Sequence, residues 1–164
     1  MSGVSVGVRV RPFLPKIDGQ DTICVSMTDT ETKVTNILGD KQEKRFTFDY
    51  SFWSHDGFGT RDDGYTYPLE GSGYKDQAYV FEQIGKSVLN NAWEGYHTCL
   101  FAYGQTGSGK SHSMIGYGAN KGIVPMATEE IFTRIANNTD TTKSYEVTAM
   151  MCEIYNEKVQ DLMV

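Results

Sequence analysis

The first stretch of the chain alternates apolar and polar residues. From Val4 to Arg11 every second residue is a valine, and the residues between them are Ser5, Gly7, Arg9 and Arg11. This period of two predicts a β-strand, which Pro12 ends because proline donates no hydrogen bond to a ladder. Further strands are predicted by the Thr- and Val-rich pieces of Ile23–Leu38, which indicate small surface strands, and by the aromatic-rich Phe46–Phe52.

The middle of the chain changes from a glycine-rich segment to a helical pattern. Ser54–Asp76 has five glycines, one proline and little apolar periodicity, so we expect a long exposed loop over residues 54–76. Gln77–Trp93 then repeats apolar residues at the spacing of an amphipathic helix. Its apolar face consists of Val80, Phe81, Ile84, Val88, Leu89 and Ala92.

Apolar runs and glycine breaks alternate in the second half of the chain. Thr98–Tyr103 predicts a fully buried strand, and a helix is expected from Gly109 to about Ile115. Gly116–Gly122 breaks this helix, and Pro125 opens the next one, whose inward positions are Ala127, Ile131, Phe132 and Ile135. Ser144–Tyr155 alternates again and predicts a strand. Strands that alternate with helices indicate an α/β layered fold.

Composition narrows the class of protein. The chain has 164 residues, enough for one domain, and a formal net charge of −6. An acidic chain is a poor candidate for nucleic-acid binding, because that affinity depends on Lys and Arg. The longest apolar run, Cys99–Tyr103, is far shorter than the roughly 20 residues that span a bilayer. The three cysteines are widely spaced, which disfavours a zinc site and predicts a reducing, intracellular setting.

A phosphate-binding motif follows the Thr98–Tyr103 run. The motif is GxxxxGK followed by Ser or Thr, and it is matched in full by Gly104-Gln105-Thr106-Gly107-Ser108-Gly109-Lys110-Ser111. Its glycines allow positive φ and let backbone N–H groups approach phosphate oxygens, while the next helix points its positive end at the same group. Lys110 can reach the β- and γ-phosphates, and the Ser111 hydroxyl can bind Mg²⁺. We therefore predict a nucleotide-phosphate site.

Four stretches of the sequence resemble the motor domain of kinesins. Residues 101–111 are similar to the kinesin P-loop with its FAYGQT lead-in, and Val8–Pro12 to the RxRP element. Phe46–Asp49 resembles the FxFD element, and Glu153–Leu162 the EIYNE-KVxDLL segment. The sequence of residues 50–55 and the serine at position 111 are most similar to the kinesin-3 subfamily. The resemblance implies an α/β P-loop NTPase three-layer fold of the kinesin motor type, with residues 1–164 as its N-terminal portion.

The resemblance also implies roles for particular residues. Arg9, Arg11 and Pro12 match positions on the adenine and ribose side of ATP, and His112 matches the residue that faces the base. The planar guanidinium and imidazole groups can stack on a purine. Lys110 is the implied catalytic residue of an ATPase, with ATP or ADP and Mg²⁺ as cofactors and Ser111 as the metal ligand. Lys158 matches a position near the tubulin-facing side.

The same resemblance implies a cytoplasmic, cytoskeletal protein whose partner is the microtubule, with neither nucleic acid nor membrane insertion. The switch I and switch II elements, NxxSSRSH and DxxGSE, do not occur in these residues. Phosphoryl transfer is mostly positioning and electrostatic stabilisation, so we expect little hydrolysis from these residues alone. The family sheet would have open edges here, which predicts a fragment of a longer motor, a chain completed by a partner, or self-association.

Three functional hypotheses follow. The first is an ATP-driven microtubule motor, and the second is a truncated kinesin-like module that binds nucleotide or other chains without motor activity. The third is an unrelated P-loop enzyme, such as a small nucleotide kinase or a GTPase. The third is the weakest, because only Arg134 follows the P-loop as a candidate lid arginine and no NKxD motif for guanine is present.

Overall fold

A computed structural model describes residues 3–14, 18 and 22–164 and has both strands and helices. The chain divides into two compact units, one of residues up to Glu129 and one from Glu130 onward. In the described part of the chain, no helix has the length and apolar character to cross a membrane. The first unit contains the P-loop and most of the regular structure.

The first strand of the unit runs parallel to a later one. β1 (Gly7–Val10) pairs with β5 (Tyr50–Trp53), with Arg9 opposite Phe52. β1 confirms the alternating pattern at the N-terminus, although it is shorter than predicted. A Cβ on Gly7 would lie 2.6 Å from Ile84 Cδ1 and 3.0 Å from the Phe52 ring, so glycine lets the strand pack closely.

A small antiparallel sheet lies between these two strands in the sequence. Its strands are β2 (Val25–Met27), β3 (Glu31–Thr35) and β4 (Glu43–Thr47), in that spatial order. β2 and β3 confirm the predicted surface strands. The predicted strand Phe46–Phe52 is instead divided between β4 and β5. Asp49 lies at the division, where its Oδ2 accepts a hydrogen bond of 2.7 Å from the Val6 N–H.

The predicted helix over Gln77–Trp93 is confirmed at both ends. It consists of α1 (Gln77–Val80), a π-helical turn (Phe81–Gly85) and α2 (Lys86–Trp93). Asp76 caps it by accepting from the Tyr79 N–H at 2.8 Å. Val80 of the predicted apolar face forms a core cluster with Phe52 and Ile123, against which pack Tyr50, Phe81, Ile84 and Leu100. Leu89 is also buried, but Ala92 is exposed, contrary to its predicted place on the apolar face.

The prediction of an exposed loop over Ser54–Asp76 is wrong in its middle and at its ends. β6 (Phe58–Thr60) and β7 (Thr66–Pro68) form an antiparallel hairpin. Ser54, His55 and Tyr74 are buried, and the Tyr74 ring lies 5.1 Å from that of Phe58. Strands of three residues are too short to show a period of two, so aromatic packing decides this segment.

The prediction of a buried strand over Thr98–Tyr103 is also wrong. The segment belongs to no strand or helix, and Phe101 and Tyr103 are 78% and 95% exposed. An apolar run becomes a central strand only where strands lie on both sides and layers cover both faces. Among the described residues, no strand pairs with this run.

Two further helices and a hairpin complete the first unit. α3 (Lys110–Met114) confirms the helix after the P-loop, and β8 (Gly116–Tyr117) pairs with β9 (Asn120–Lys121) in the predicted break. α4 (Ile123–Ala136) follows and continues into the second unit. Its Ala127, Ile131 and Ile135 are half-buried, but Phe132 is 54% exposed, contrary to the inward position that we predicted.

The second unit contains one hairpin beyond the end of α4. β10 (Cys152–Tyr155) and β11 (Lys158–Asp161) are antiparallel, and Asn156 and Glu157 between them both have positive φ. Two such residues form the tight turn that the strand twist favours. The strand predicted over Ser144–Tyr155 is therefore confirmed only in its last four residues. Every residue of this hairpin is exposed.

Candidate nucleotide-binding site

The P-loop backbone has the conformation that its glycines permit. The φ angles of Gly104, Gly107 and Gly109 are 152°, 81° and 100°, all in the range that side chains rarely adopt. A Cβ on Gly104 would lie 2.6 Å from Ser108 Oγ. The loop conformation therefore requires glycine at these positions, and at Gly104 the close approach of Ser108 requires it as well.

The helix α3 begins directly after this loop. Gly109 is its N-cap, and the N–H groups of the first turn have no partner within a helix, so they are donors for an anion. Ser111, the second residue of α3, is exposed. These donors and the hydroxyl are the groups that a phosphate–magnesium pair requires.

Lys110 places its ammonium at the mouth of the loop. Its Nζ donates to the carbonyl oxygens of Gly104 at 2.8 Å and Gln105 at 2.9 Å. Both acceptors are neutral, whereas a phosphate oxygen is an anion and a stronger acceptor. The ammonium can therefore exchange these carbonyls for a phosphate with a small movement of a flexible side chain.

Arg11 connects the end of β1 to the P-loop. Its Nε donates to the Gly107 carbonyl at 2.7 Å, and its two terminal nitrogens bind the Asp18 carboxylate at 2.5 and 2.8 Å. Hydrogen bonds from Arg11 and from the Leu14 N–H lower the pKa of Asp18 to about 2. The Pro12 carbonyl accepts from Arg11 at 2.7 Å. Arg11 therefore lies beside the loop, while the implied contacts of Arg11 and Pro12 with adenine and ribose stay predictions.

Arg9 makes its contacts within the protein. Its Nε donates to Ser54 Oγ at 2.9 Å, and its Nη1 donates to Gln77 Oε1 at 2.6 Å and Ser113 Oγ at 3.0 Å. Burial lowers the pKa of Arg9, which Tyr74 and Asp76 oppose. The guanidinium is therefore a cross-link between β1, α1 and α3, and its implied contact with adenine stays a prediction.

His112 follows the P-loop on α3, half-buried. Its ring lies nearly parallel to that of Tyr117, with the centroids 6.1 Å apart. Burial lowers the pKa of His112, and the charge of Arg9 lowers it further, so the imidazole is neutral at pH 7. A neutral ring beside a second aromatic ring can form an apolar wall for a base.

Two polar residues of this region, Gln77 and Asp18, belong to no motif that the sequence reveals. Gln77 Nε2 donates to the carbonyls of His112 at 2.7 Å and Asn120 at 3.2 Å, and Asp18 holds Arg11. The only signal for Gln77 is that it begins a predicted helix. Lys158, the implied tubulin contact, lies exposed in β11 of the second unit.

Comparison with protein families now places this geometry in a class. A family model described as the kinesin motor domain matches residues 9–164. The chain belongs to the kinesin motor domain family, which confirms the resemblance of its four motifs. The fold agrees with that of solved kinesin motors, at TM-scores of 0.73 and 0.76.

Particular relatives are similar over almost the whole chain. Kinesin-like protein KIF28 of Rattus norvegicus is 45% identical over 162 residues, and KIF1C of Homo sapiens is 40% identical over 168 residues. The alignments cover 98% and 99% of this chain but 16% and 14% of those proteins. KIF1C represents the kinesin-3 subfamily, which the sequence most resembles.

The solved structures in this comparison are of KIF14. One is a KIF14 segment with ADP in complex with a microtubule, and the other a two-heads-bound dimer with AMP-PNP in complex with a microtubule. They are 36% and 38% identical to this chain, which covers 41% of each of them. The chain therefore spans less than half of a solved motor segment.

Proposed function

We propose that this chain forms the nucleotide-binding portion of a microtubule motor that couples ATP hydrolysis to movement. The observation that carries the proposal is the complete P-loop, with three positive-φ glycines followed by Lys110 at the start of α3. Family membership supports ATP as the nucleotide. The relatives' complexes with ADP, AMP-PNP and microtubules support the same function.

The phosphate side of the site is assigned to loop residues. The phosphates are assigned to the N–H groups of Gly107, Gly109, Lys110 and Ser111, since the Ser108 N–H donates to the Gln105 carbonyl. The Lys110 ammonium would bind the β- and γ-phosphates in place of the Gly104 and Gln105 carbonyls. The hydroxyl of Ser111, which is exposed, would be the protein's ligand to Mg²⁺. The metal would neutralise charge that develops on the phosphate oxygens. Because Gly104, Gly107 and Gly109 have positive φ and no Cβ atoms, the loop backbone can approach these groups closely.

The base side of the site is assigned to Arg11, Pro12 and His112, with Arg9 behind them. We expect His112→Ala to weaken ATP binding by about fivefold, because one stacked side chain contributes on the order of 1 kcal/mol. Inorganic triphosphate has no base, so its affinity should change little. Competition titrations with both ligands measure the ratio. An equal loss for the two ligands would contradict the stacking role, and His97→Ala, an exposed histidine outside the loop, is the matched control.

The motor function is tested by ATPase assays of the intact protein with and without microtubules. A motor should hydrolyse ATP faster as microtubules are added, and Lys158→Ala should raise the microtubule concentration needed for half-maximal stimulation. Lys143→Ala, another exposed lysine of the second unit, is the control. A protein that binds Mg-ATP but shows no stimulated turnover would support the alternative, a kinesin-like nucleotide-binding or interaction module without motor activity.

The exposed apolar run favours the interaction role within that alternative. Phe101 and Tyr103 lie beside the P-loop and are almost fully exposed. Large exposed apolar side chains close together are typical of interaction sites. Self-association of the chain is accordingly one outcome to measure, by light scattering over a range of concentrations, alongside the ATPase assays.

A further inference from the structure

We propose that Asn120 is a positioning residue of the nucleotide site, which clamps the β6–β7 hairpin to the β8–β9 hairpin and thereby holds Tyr117 against His112. The inference rests on the proposed function, since His112 is the base-facing residue only if the P-loop binds a nucleotide. It gives a role to two segments that the motifs leave without one, residues 54–76 and 116–122.

The side chain of Asn120 joins the two hairpins by three hydrogen bonds. Its Oδ1 accepts from the Thr66 N–H at 2.9 Å and from Thr66 Oγ1 at 2.8 Å. Its Nδ2 donates to the Gly64 carbonyl at 2.8 Å. Both lone pairs of the oxygen and one of the two amide hydrogens are therefore used. Such a set fixes one orientation of the side chain and one position of the β6–β7 turn.

The backbone of Asn120 connects the β6–β7 hairpin to the base side of the nucleotide site. Asn120 lies opposite Tyr117 in the β8–β9 pair, and the Tyr117 ring stacks on His112. Gln77 Nε2 donates to the carbonyls of both Asn120 and His112, which joins the hairpin to α3. A shift of Asn120 therefore moves Tyr117 relative to the His112 ring.

The backbone is tightly packed where the β8–β9 hairpin begins, at Gly116, and just after it ends, at Gly122. Gly116 has a φ of 77°, and a Cβ there would lie 2.0 Å from the Asn120 carbonyl oxygen. A Cβ on Gly122 would lie 2.5 Å from the backbone of Met114. Because the backbone is tightly packed at Gly116 and Gly122, Asn120 cannot move without moving the paired strand. A displacement of Asn120 therefore also displaces Tyr117.

The β6–β7 hairpin is itself held to the start of α1, which makes it a firm support. Tyr65 donates to the Asp76 carboxylate at 2.7 Å, and Asp76 is the N-cap of α1. Tyr74, which is buried, donates to Thr66 Oγ1 at 3.3 Å. Asn120 thus binds a hairpin that is anchored at two points, and not a free loop.

The test compares Asn120→Ala with Asn120→Asp in the intact protein. Alanine removes all three bonds, whereas aspartate keeps the acceptor for both Thr66 donors but places its second carboxylate oxygen against the Gly64 carbonyl, which it cannot bond. We expect Asn120→Ala to weaken Mg-ATP binding about fivefold and to leave inorganic triphosphate within about twofold, because the change acts on the base side. Asn120→Asp should recover part of the difference, because only the two bonds from Thr66 remain. Asn36→Ala removes another turn asparagine with side-chain hydrogen bonds and should change neither affinity.

Hydrogen exchange provides a readout that does not depend on nucleotide. The Thr66 N–H is bonded to Asn120 Oδ1, so peptides that span residue 66 and residues 116–121 should exchange faster in Asn120→Ala than in the parent. Exchange in α2 (Lys86–Trp93) should not change. Equal loss of ATP and triphosphate affinity would overturn the positioning role, and unchanged exchange at residues 116–121 would overturn the clamp.

The two readouts separate this inference from the function on which it rests. A parent protein that binds no nucleotide would refute the proposed function. In that case Asn120 would have no role in nucleotide binding. Faster exchange at residues 66 and 116–121 in Asn120→Ala would still support the clamp between the two hairpins. If Asn120→Ala loses its structure altogether, Asn120→Asp becomes the test of the clamp. Asn120→Asp should retain the parent's exchange at residue 66, and faster exchange there would refute Asn120 Oδ1 as the acceptor of the Thr66 N–H.

Discussion

Replacing Lys110 with alanine is expected to reduce the affinity for Mg-ATP by at least about 100-fold, with no loss of folding stability. Two hydrogen bonds from an ammonium to phosphate oxygens, at about 1.5–3 kcal/mol each, give an effect of this size. In the structure the Lys110 ammonium donates to two exposed loop carbonyls, which water can satisfy after the change. The predicted loss is therefore one of binding and not of packing.

Calorimetric titration of Mg-ATP and Mg-ADP measures this prediction directly. Lys44→Ala, an exposed lysine of β4, is the matched control and should bind as the parent does. Unfolding in urea should give the same midpoint for the parent and both variants. If Lys110→Ala bound Mg-ATP as tightly as the parent, the assignment of Gly104–Ser111 as the phosphate site would be wrong. A folded parent that bound no nucleotide would refute the proposed function.

Local patterns predicted the elements that depend on local interactions. The helix Gln77–Trp93 has its predicted limits because a long apolar face at helical spacing and an aspartate cap act within one turn of each residue. The P-loop and α3 were predicted for the same reason, since the positive-φ glycines and the helix start are adjacent in sequence.

Elements that depend on distant partners were predicted poorly. Thr98–Tyr103 has the composition of a central strand, but no described strand pairs with it, and composition does not supply a neighbour. The β6–β7 hairpin is held by Asn120, 54 residues further along the chain from Thr66. The motif resemblance predicts Arg9, Arg11 and His112 as site residues, yet it does not reveal that Gln77 and Asn120 make hydrogen bonds around them.

Arg9 is the residue for which sequence and structure suggest different roles, and stability measurements distinguish them. Its guanidinium reaches Ser54, Gln77 and Ser113, which are 45, 68 and 104 residues away in sequence. We expect Arg9→Leu to lower the free energy of unfolding, without nucleotide, by about 3 kcal/mol. This loss is accounted for by three lost hydrogen bonds from a cation and by Gln77 Oε1, the side-chain amide oxygen, which loses its partner. Ser54 keeps a second bond, to the Lys75 carbonyl at 2.5 Å, which moderates the effect.

Urea unfolding of the nucleotide-free protein measures this change, with Arg45→Ala as the control. Arg45 is 60% exposed and pairs with Glu31 and Glu43, and an exposed pair contributes less than about 1 kcal/mol. Arg9→Lys keeps the charge but cannot reproduce a planar fork that donates from Nε and Nη1 together, so it should recover only part of the loss. If Arg9 served only as an adenine contact, Arg9→Leu would weaken ATP binding and leave the nucleotide-free unfolding midpoint unchanged. A lower unfolding midpoint together with weaker ATP binding would instead mean that Arg9 stabilises the nucleotide site indirectly. Its guanidinium would do so by joining β1 to α3, the helix that follows the P-loop.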